Sequence, residues 1–266
     1  MLALYAMLQG AAAEALRFLF VPDFSKISAD VVLLAVGQAL LTLSVGGAGM
    51  LVYGAYLAQD ASIPRAAAVV ALADTLVALL AGLMIFPIVF AFGLPVGEGP
   101  GLIFVTMPMA FGQMTGGNIF GALFFLLLLI AALSSALSMF EPVVAWLAEK
   151  KGISRLRASI LAGLAAWLIG LSAAFSFNIW SEVRPLFFLE RLREANIFRS
   201  LEYVVANISV PVGALLVVIF VGWMMSERSR VREFGGAPSA FSLWRFFMRF
   251  VVPLALLAIL GARLMA

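Results

Sequence analysis

Long apolar stretches separated by short polar segments dominate the chain, and six of them are long enough to cross a membrane. They cover about 31–58, 66–92, 119–147, 158–177, 201–225 and 246–264. A helix of about 20 residues spans about 30 Å of hydrocarbon. Because backbone polar groups in lipid must be satisfied within the segment, these stretches are predicted to be helices. The pattern predicts an all-α polytopic membrane protein with about six transmembrane helices.

The first apolar stretch contains a polar, glycine-rich interruption. It reads TLSVGGAG at 42–49 and holds Gly46, Gly47 and Gly49. Each glycine weakens a helix by about 1 kcal/mol relative to alanine, so this helix is predicted to be broken mid-membrane. Half-helix ends bind ions and charged substrate groups in transporters, whereas glycines alone also serve close helix packing. The nearby Gln38, Thr42 and Ser44 favour a binding site.

The segments between the helices differ in charge. The glycine- and proline-rich segment 93–118 contains the apolar run LIFVTMPMAF, which is too short to span and is interpreted as a helical hairpin or re-entrant lid. Basic residues concentrate in 149–157 and 226–240, so these two segments are predicted to be cytoplasmic, with a modest excess of basic residues on that side.

Composition excludes several classes of protein. Of 266 residues, 64% are hydrophobic and 12% are charged, whereas soluble domains have about 45–50% and about 25%. A soluble enzyme and a nucleic-acid binder are therefore excluded. The chain has no cysteine and no histidine, so disulfides, thiolate nucleophiles, Ser-His-Asp triads and Cys/His metal sites are excluded as well.

Asp74 is an acidic residue deep in the second apolar stretch. It lies about nine residues inside, which is roughly 13 Å at the rise of a helix. An ionised carboxylate there costs several kcal/mol unless it is paired or binds a cation. We interpret Asp74 as a ligand for a coupling ion or proton. The alternative is a protonated, hydrogen-bonded aspartate.

The third stretch contains a cluster of oxygen groups. Ser134 and Ser135 follow Ala131 by three and four residues, which puts both hydroxyls one turn from the Ala131 carbonyl. These are hard oxygen ligands, suited to a weakly bound cation such as sodium. The alternative is that the serines only bond to their own helix.

Two further acidic residues each allow two interpretations. Glu202 is either a solvated carboxylate or a gate, and Glu141 is either solvated or paired.

Several motifs resemble the neurotransmitter:sodium symporters along essentially the whole chain. GQALLTLSVGGAGMLVYGAYL resembles the sixth helix of that family, GQxFFSLSLGxGAMxxYGSYL, and DTLVALLAGLMIFP resembles the seventh. PDFSKIS and GPGLIFVTMPMAFGQMTGG are similar to the third and fourth extracellular loops. LLLLIAALSSALSMFEPVVAWL resembles the eighth helix, and FNIWS follows the ninth.

The resemblance implies the leucine-transporter fold, with this chain matching helices six to eleven of that fold. Residues 1–30 would form the end of a truncated helix and an extracellular loop. Residues 31–225 would form the second inverted-repeat half, with the lid at 93–118. Residues 226–266 would form a cytoplasmic loop and the final transmembrane helix. The expected location is the bacterial inner membrane.

The implied activity is sodium-coupled symport of an amino acid or related amine, not enzymatic catalysis. Substrate would contact Leu41, Thr42, Ser44, Gly47, Ser135 and Met139. Sodium would bind Thr42, Asp74, Ala131, Ser134 and Ser135. Glu202 matches an acidic gate residue, and Gln38 and Ala78 match the region of the family's chloride site.

Two departures from the family pattern matter for specificity. Asp74 stands where an asparagine is usual, so its charge is expected to replace chloride, and no organic cofactor is expected. Gly47 replaces a bulky residue, which implies a larger pocket and a bulkier substrate.

The family's first and third helices have no counterpart in this chain, and the first helix contributes half of both sodium sites. The expected partners are the lipid bilayer, a small-molecule substrate and a separate amino-terminal half, with no nucleic acid. One alternative is a fragment that does not transport and only binds a partner. A six-helix carrier working as a homodimer is another.

Overall fold

The computed structural model describes residues 7–8, 11–47, 49–58, 61–96, 99–235 and 238–265. It divides into two compact units, which are described separately. The first consists of Met1–Ile27 and Ala68–Ser135, and the second consists of Ser28–Ala67 and Ala136–Ala266. The prediction of a truncated helix at the amino terminus falls mostly on residues outside this description.

The described residues form helices joined by turns. In chain order these are α1 (Ala12–Phe20), α2 (Ala29–Thr42), α3 (Gly49–Ala55), α4 (Ile63–Ala91), α5 (99–113), α6 (Gly117–Lys151), α7 (Arg155–Phe175), α8 (Ile197–Met224), α9 (Glu227–Phe234) and α10 (238–265). Short 3₁₀ turns occur at Phe24–Lys26 and Glu190–Leu192.

Five of these helices are long and apolar enough to cross a membrane. They are α4, α6, α7, α8 and residues Ser239–Ala262 of α10. The sixth predicted span is divided into α2 and α3, and neither piece crosses alone. The predicted all-α polytopic fold and the broken first helix are therefore confirmed.

Three long helices contain a π-helical turn that ends two residues before a proline. These turns are Leu102–Thr106, Val204–Ser209 and Phe247–Val251, and the prolines are Pro108, Pro211 and Pro253. Proline lacks an N–H and its ring collides with the carbonyl four residues earlier. Widening the turn relieves that collision while keeping neighbouring backbone groups bonded. These helices therefore continue through their prolines.

The core of the first unit lies around α5. Its buried side chains are Ile88, Val89, Met107, Ala110, Phe111, Met114 and Phe124. They come from the end of α4, from α5 and the residue that follows it, and from the start of α6. The segment predicted to be a lid therefore contains a helix whose inner face is buried, while residues 97–98 lie outside the description.

The second unit has two small cores. Ala214, Val218 and Leu256 join α8 to α10, and Leu40 and Val45 at the end of α2 pack against them. A second cluster joins α6 to α7 through Val144, Ala158 and Ala162. The first of these cores fixes the broken helix against α8.

Candidate ion and substrate site

The break in the first membrane helix begins at Ser44. Its N–H donates to Leu41 O at 3.1 Å, and Val45 N–H donates to Leu40 O at 3.1 Å. This pair of bonds is a Schellman motif, which ends a helix with a left-handed residue. Ser44 takes that role with φ of 51°, where glycine is the usual residue. The chain therefore leaves the helix before the glycines that predicted the break.

Gly46 serves close packing of the break against α8. A Cβ placed on Gly46 would overlap the carbonyl oxygen of Val210, and a Cβ on Gly213 would overlap the carbonyl oxygen of Gly46. The two backbones are thus in direct contact, which side chains at these positions would prevent. By contrast, the nearest atom to a Cβ on Gly47 is Ser44 O at 3.9 Å. Of the two interpretations of these glycines, packing holds for Gly46.

The candidate residues of the second unit line the end of α2 and the break. Gln38, Leu41, Thr42 and Gly47 are exposed and Ser44 is half-buried. Two more lie on other helices of this unit: Met139 on α6 is 64% exposed, and Glu202 is exposed in the first two turns of α8.

The candidate residues of the first unit lie on α4 and α6. Asp74 is half-buried and Ala78 is exposed. Ala131, Ser134 and Ser135 are exposed on successive positions of one face of α6. The structure brings Ala131 and Ser134 together, because Ser134 Oγ donates to Ala131 O at 2.8 Å. This is the bond to its own helix that was the alternative to a cation site. A hydroxyl can turn its proton away, so these adjacent oxygens remain able to bind a cation.

A polar seam that the sequence interpretation missed joins α3 to α6. The Tyr53 hydroxyl bonds the Ser138 hydroxyl, and Tyr56 Oη donates to Glu141 Oε1 at 3.1 Å. Tyr53 lies in α3 and Tyr56 directly follows its last residue, while Ser138 and Glu141 are three residues apart on α6. The two bonds therefore follow one line of contact. The signal in the sequence was this matched spacing of polar groups within two apolar helices.

Glu141 also pairs with Arg155 at the start of α7, whose Nη2 donates to the same carboxylate oxygen. The carboxylate is the less exposed partner, at 28% against 59% for the arginine. Of the two alternatives for Glu141, the structure favours the paired one. Through this carboxylate α3, α6 and α7 are tied together.

A buried hydroxyl anchors the start of α8, and so the position of Glu202. Ser176 is fully buried, and its Oγ accepts the N–H of Phe198 at 3.2 Å. Asn196 caps the helix by accepting from Arg199 N–H at 3.0 Å, and its amide donates to Ser176 O at 3.1 Å. The end of α7 and the first turn of α8 are therefore held together by hydrogen bonds from the side chains of both Ser176 and Asn196.

The whole chain, residues 1–266, matches the model of the Sodium:neurotransmitter symporter family. It is 35% identical to an uncharacterised sodium-dependent transporter, YhdH of Bacillus subtilis, over 97% of this chain and 57% of that protein. It is 25% identical to the sodium-dependent dopamine transporter of Bos taurus, over 92% of this chain and 35% of that protein.

Among solved structures, the chain is similar to MhsT in complex with L-phenylalanine. The TM-score is 0.87 and the identity 38%, over 98% of this chain and 58% of that one. The chain thus spans a little over half the length of YhdH and of MhsT. The predicted resemblance is confirmed: the chain belongs to the sodium:neurotransmitter symporter family, an integral membrane family of sodium-dependent transporters and not of enzymes.

Proposed function

We propose that this chain supplies the carboxy-terminal half of the sodium and substrate sites of a symporter for an amino acid or related amine. The observation that carries the proposal is the match to a sodium-dependent transporter family over all 266 residues. The broken helix supports it, since interrupted helices present backbone groups to ions and substrates.

The proposed sodium ligands are oxygen groups on two sets of residues. One set is the Ala131 carbonyl with the Ser134 and Ser135 hydroxyls, whose spacing on α6 presents hard oxygens to a cation. The other set is Thr42 and Asp74, assigned by resemblance to the family motif. Sodium would couple to transport by binding one state of the carrier better than the other.

The proposed substrate pocket uses Leu41, Thr42, Ser44, Gly47, Ser135 and Met139. Gly47 contributes no side chain and has open space around it, so we expect room for a bulky substrate. The similarity to a structure solved with L-phenylalanine supports an aromatic amino acid. Stronger binding of glycine or alanine than of phenylalanine would contradict this specificity.

A separate amino-terminal half is proposed as the partner. Ser135 and Met139 are exposed on α6, and small polar residues such as serine are enriched where membrane helices contact one another. The chain also spans 57% of the length of YhdH and 58% of the length of MhsT. Glu202 is proposed to gate the outer side of the assembled site.

The principal test is sodium-dependent amino-acid uptake by the chain alone and with a supplied amino-terminal half. We expect uptake only with both halves, and loss of uptake in Ser135→Ala. Ser172→Ala is the matched control, because its hydroxyl bonds only within α7, to Ile169 O at 2.7 Å. Uptake by the chain alone would overturn the half-site proposal. No uptake from the assembled halves would favour a fragment that only binds a partner.

Asp74 is proposed to supply the negative charge that chloride provides elsewhere in the family, whose chloride-site region Gln38 and Ala78 match by resemblance. Uptake should then proceed without chloride, and Asp74→Asn should make it depend on chloride. A wild-type protein that requires chloride would reject this assignment without affecting the proposal of sodium coupling.

A further inference from the structure

Two arginines converge on the carboxy-terminal end of α8. Arg230 Nη1 donates to Gly222 O at 2.7 Å and to Val221 O at 3.4 Å. Arg249 Nε donates to the same Gly222 O at 2.8 Å. Two guanidinium groups therefore share a single carbonyl oxygen at the end of a membrane-spanning helix.

Neither arginine is neutralised by a carboxylate in the part of the chain that the structure describes. The acids of the same segment are engaged elsewhere: Glu227 pairs with Arg245 at 2.6 Å, and Glu233 pairs with Arg232 at 2.9 Å. Arg230 is only 5% exposed, and its buried Nε has no hydrogen-bond partner among the described residues. Burying a charge without a counter-charge is costly.

The carbonyl oxygen of Gly222 offsets the positive charge of the two guanidinium groups only in part. The end of a helix carries roughly half a negative charge, which favours one nearby cation. Two cations at that end repel each other across a short distance. An anion bound between them would offset both the repulsion and the unpaired buried charge, and a phosphate offers several strong acceptors to a guanidinium fork.

The depth of this arginine pair identifies the anion. It lies at the end of the spanning helix Ile197–Met224, because both arginines bond Gly222 O two residues before that end, and Arg249 reaches it from within the span Ser239–Ala262. Phe234, Phe241 and Trp244 form an aromatic cluster in the same segment, as is typical of the membrane–water interface. Residues 227–249 contain five arginines and two glutamates. The anion present in quantity at this depth is the phosphate of a lipid headgroup.

We propose that Arg230 and Arg249 form a binding site for the headgroup phosphate of an anionic lipid. The lipid lies against the end of α8, and Arg249 contacts the phosphate from the π turn Phe247–Val251 of α10. This site is separate from the proposed sodium and substrate site and does not depend on transport. Its consequence is that an anionic membrane stabilises the α8–α10 junction.

The test is native mass spectrometry of the purified chain with equal amounts of phosphatidylglycerol and phosphatidylcholine. The wild-type chain should retain phosphatidylglycerol in clear preference. Arg249→Gln should lower that retention about tenfold, the loss expected for one charge-assisted hydrogen bond. Arg228→Gln is the matched control, because it removes an exposed arginine of α9 that makes no ion pair with another described residue, and it should change retention less than twofold.

Several outcomes would overturn the proposal. Equal losses of lipid retention in Arg228→Gln and Arg249→Gln would indicate diffuse surface charge. Displacement of the lipid by excess inorganic phosphate would indicate a site for a soluble anion. If Arg249→Gln does not fold, Arg249→Lys is measured instead. This variant keeps the positive charge and should lose part of the preference for phosphatidylglycerol. A wild-type chain that binds both lipids equally would reject the site without any variant.

Discussion

Ser44 adopts the left-handed backbone conformation that ends the first half of the broken helix. Its φ of 51° is a backbone conformation that costs a side-chain-bearing residue about 1–2 kcal/mol relative to glycine. Strain of this kind persists where the surroundings impose it, and it is concentrated at functional sites. Here the Schellman bonds of Ser44 and Val45 and the packing of Gly46 impose it. The strain thus falls on a residue that we propose for the substrate pocket.

Replacing Ser44 by glycine should therefore stabilise the fold. Relief of the left-handed strain exceeds the added entropy of the unfolded chain, so we expect a gain of about 0.5–1 kcal/mol in the free energy of unfolding. Thermal unfolding in detergent measures it. Ser172→Gly, in the last turn of α7, is the control and should instead lose about 0.5 kcal/mol in stability. Equal effects of the two substitutions would show that Ser44 is unstrained.

The contact between the break and α8 is the element-level feature that fixes the site. Gly46 and Gly213 allow backbone to approach backbone, and Leu40 and Val45 pack on the adjoining core. Because the break carries Thr42 and Ser44, any displacement of it from α8 also displaces the proposed ligands.

Gly213→Ala should push the break away from α8. We expect a loss of about 1–3 kcal/mol in stability, the usual cost of overpacking. Gly163→Ala is the matched control, because a Cβ there meets nothing within 4 Å. It should be neutral or stabilising by up to about 1 kcal/mol. Thermal unfolding of both variants compares them, and a harmless Gly213→Ala would refute the direct backbone contact.

The seam between α3 and α6 makes a separate prediction about coupling. Tyr56→Phe removes the donor of one hydrogen bond, and Glu141→Gln replaces its charged acceptor by a neutral amide oxygen. A double-mutant cycle should therefore give a coupling energy of about 0.5–1 kcal/mol. A cycle of Tyr53→Phe with Glu141→Gln is the control and should be close to additive, because Tyr53 bonds Ser138 instead. Equal coupling in the two cycles would contradict the pairing described.

At the scale of the whole molecule, the chain covers 57% of the length of YhdH and 58% of the length of MhsT. On the proposal of a separate amino-terminal half, that half would complete the coordination by the proposed sodium ligands. Ion affinity is therefore expected to be a property of the assembled protein.

Sodium should raise the unfolding temperature of the assembled halves, whereas potassium at equal ionic strength should not. At ten times the dissociation constant the expected stabilisation is about 1.4 kcal/mol. The chain without its partner half should respond far less. A full sodium response of the chain alone would mean that its own residues complete the ion sites.

The sequence determined the class of structure because lipid imposes length and hydrogen-bonding rules that a single chain displays directly. Six apolar stretches predicted six spans, and the glycine-rich interruption predicted the break. Family motifs identified the candidate residues one by one. In contrast, the prolines gave no indication of which helices would widen: Pro108, Pro211 and Pro253 follow π turns, whereas Pro87 lies within an ordinary α-helix.

Tertiary structure decided what depends on contacts between residues far apart in the chain. Gly46 is a packing residue because Val210 and Gly213 lie against it, and Glu141 is paired because Tyr56 and Arg155 reach it. The arginine pair at the end of α8 likewise exists only because α9 and α10 return to that helix end. Hydrophobic length is a local property that a sequence displays, whereas the partner of a polar group is fixed only when helices pack.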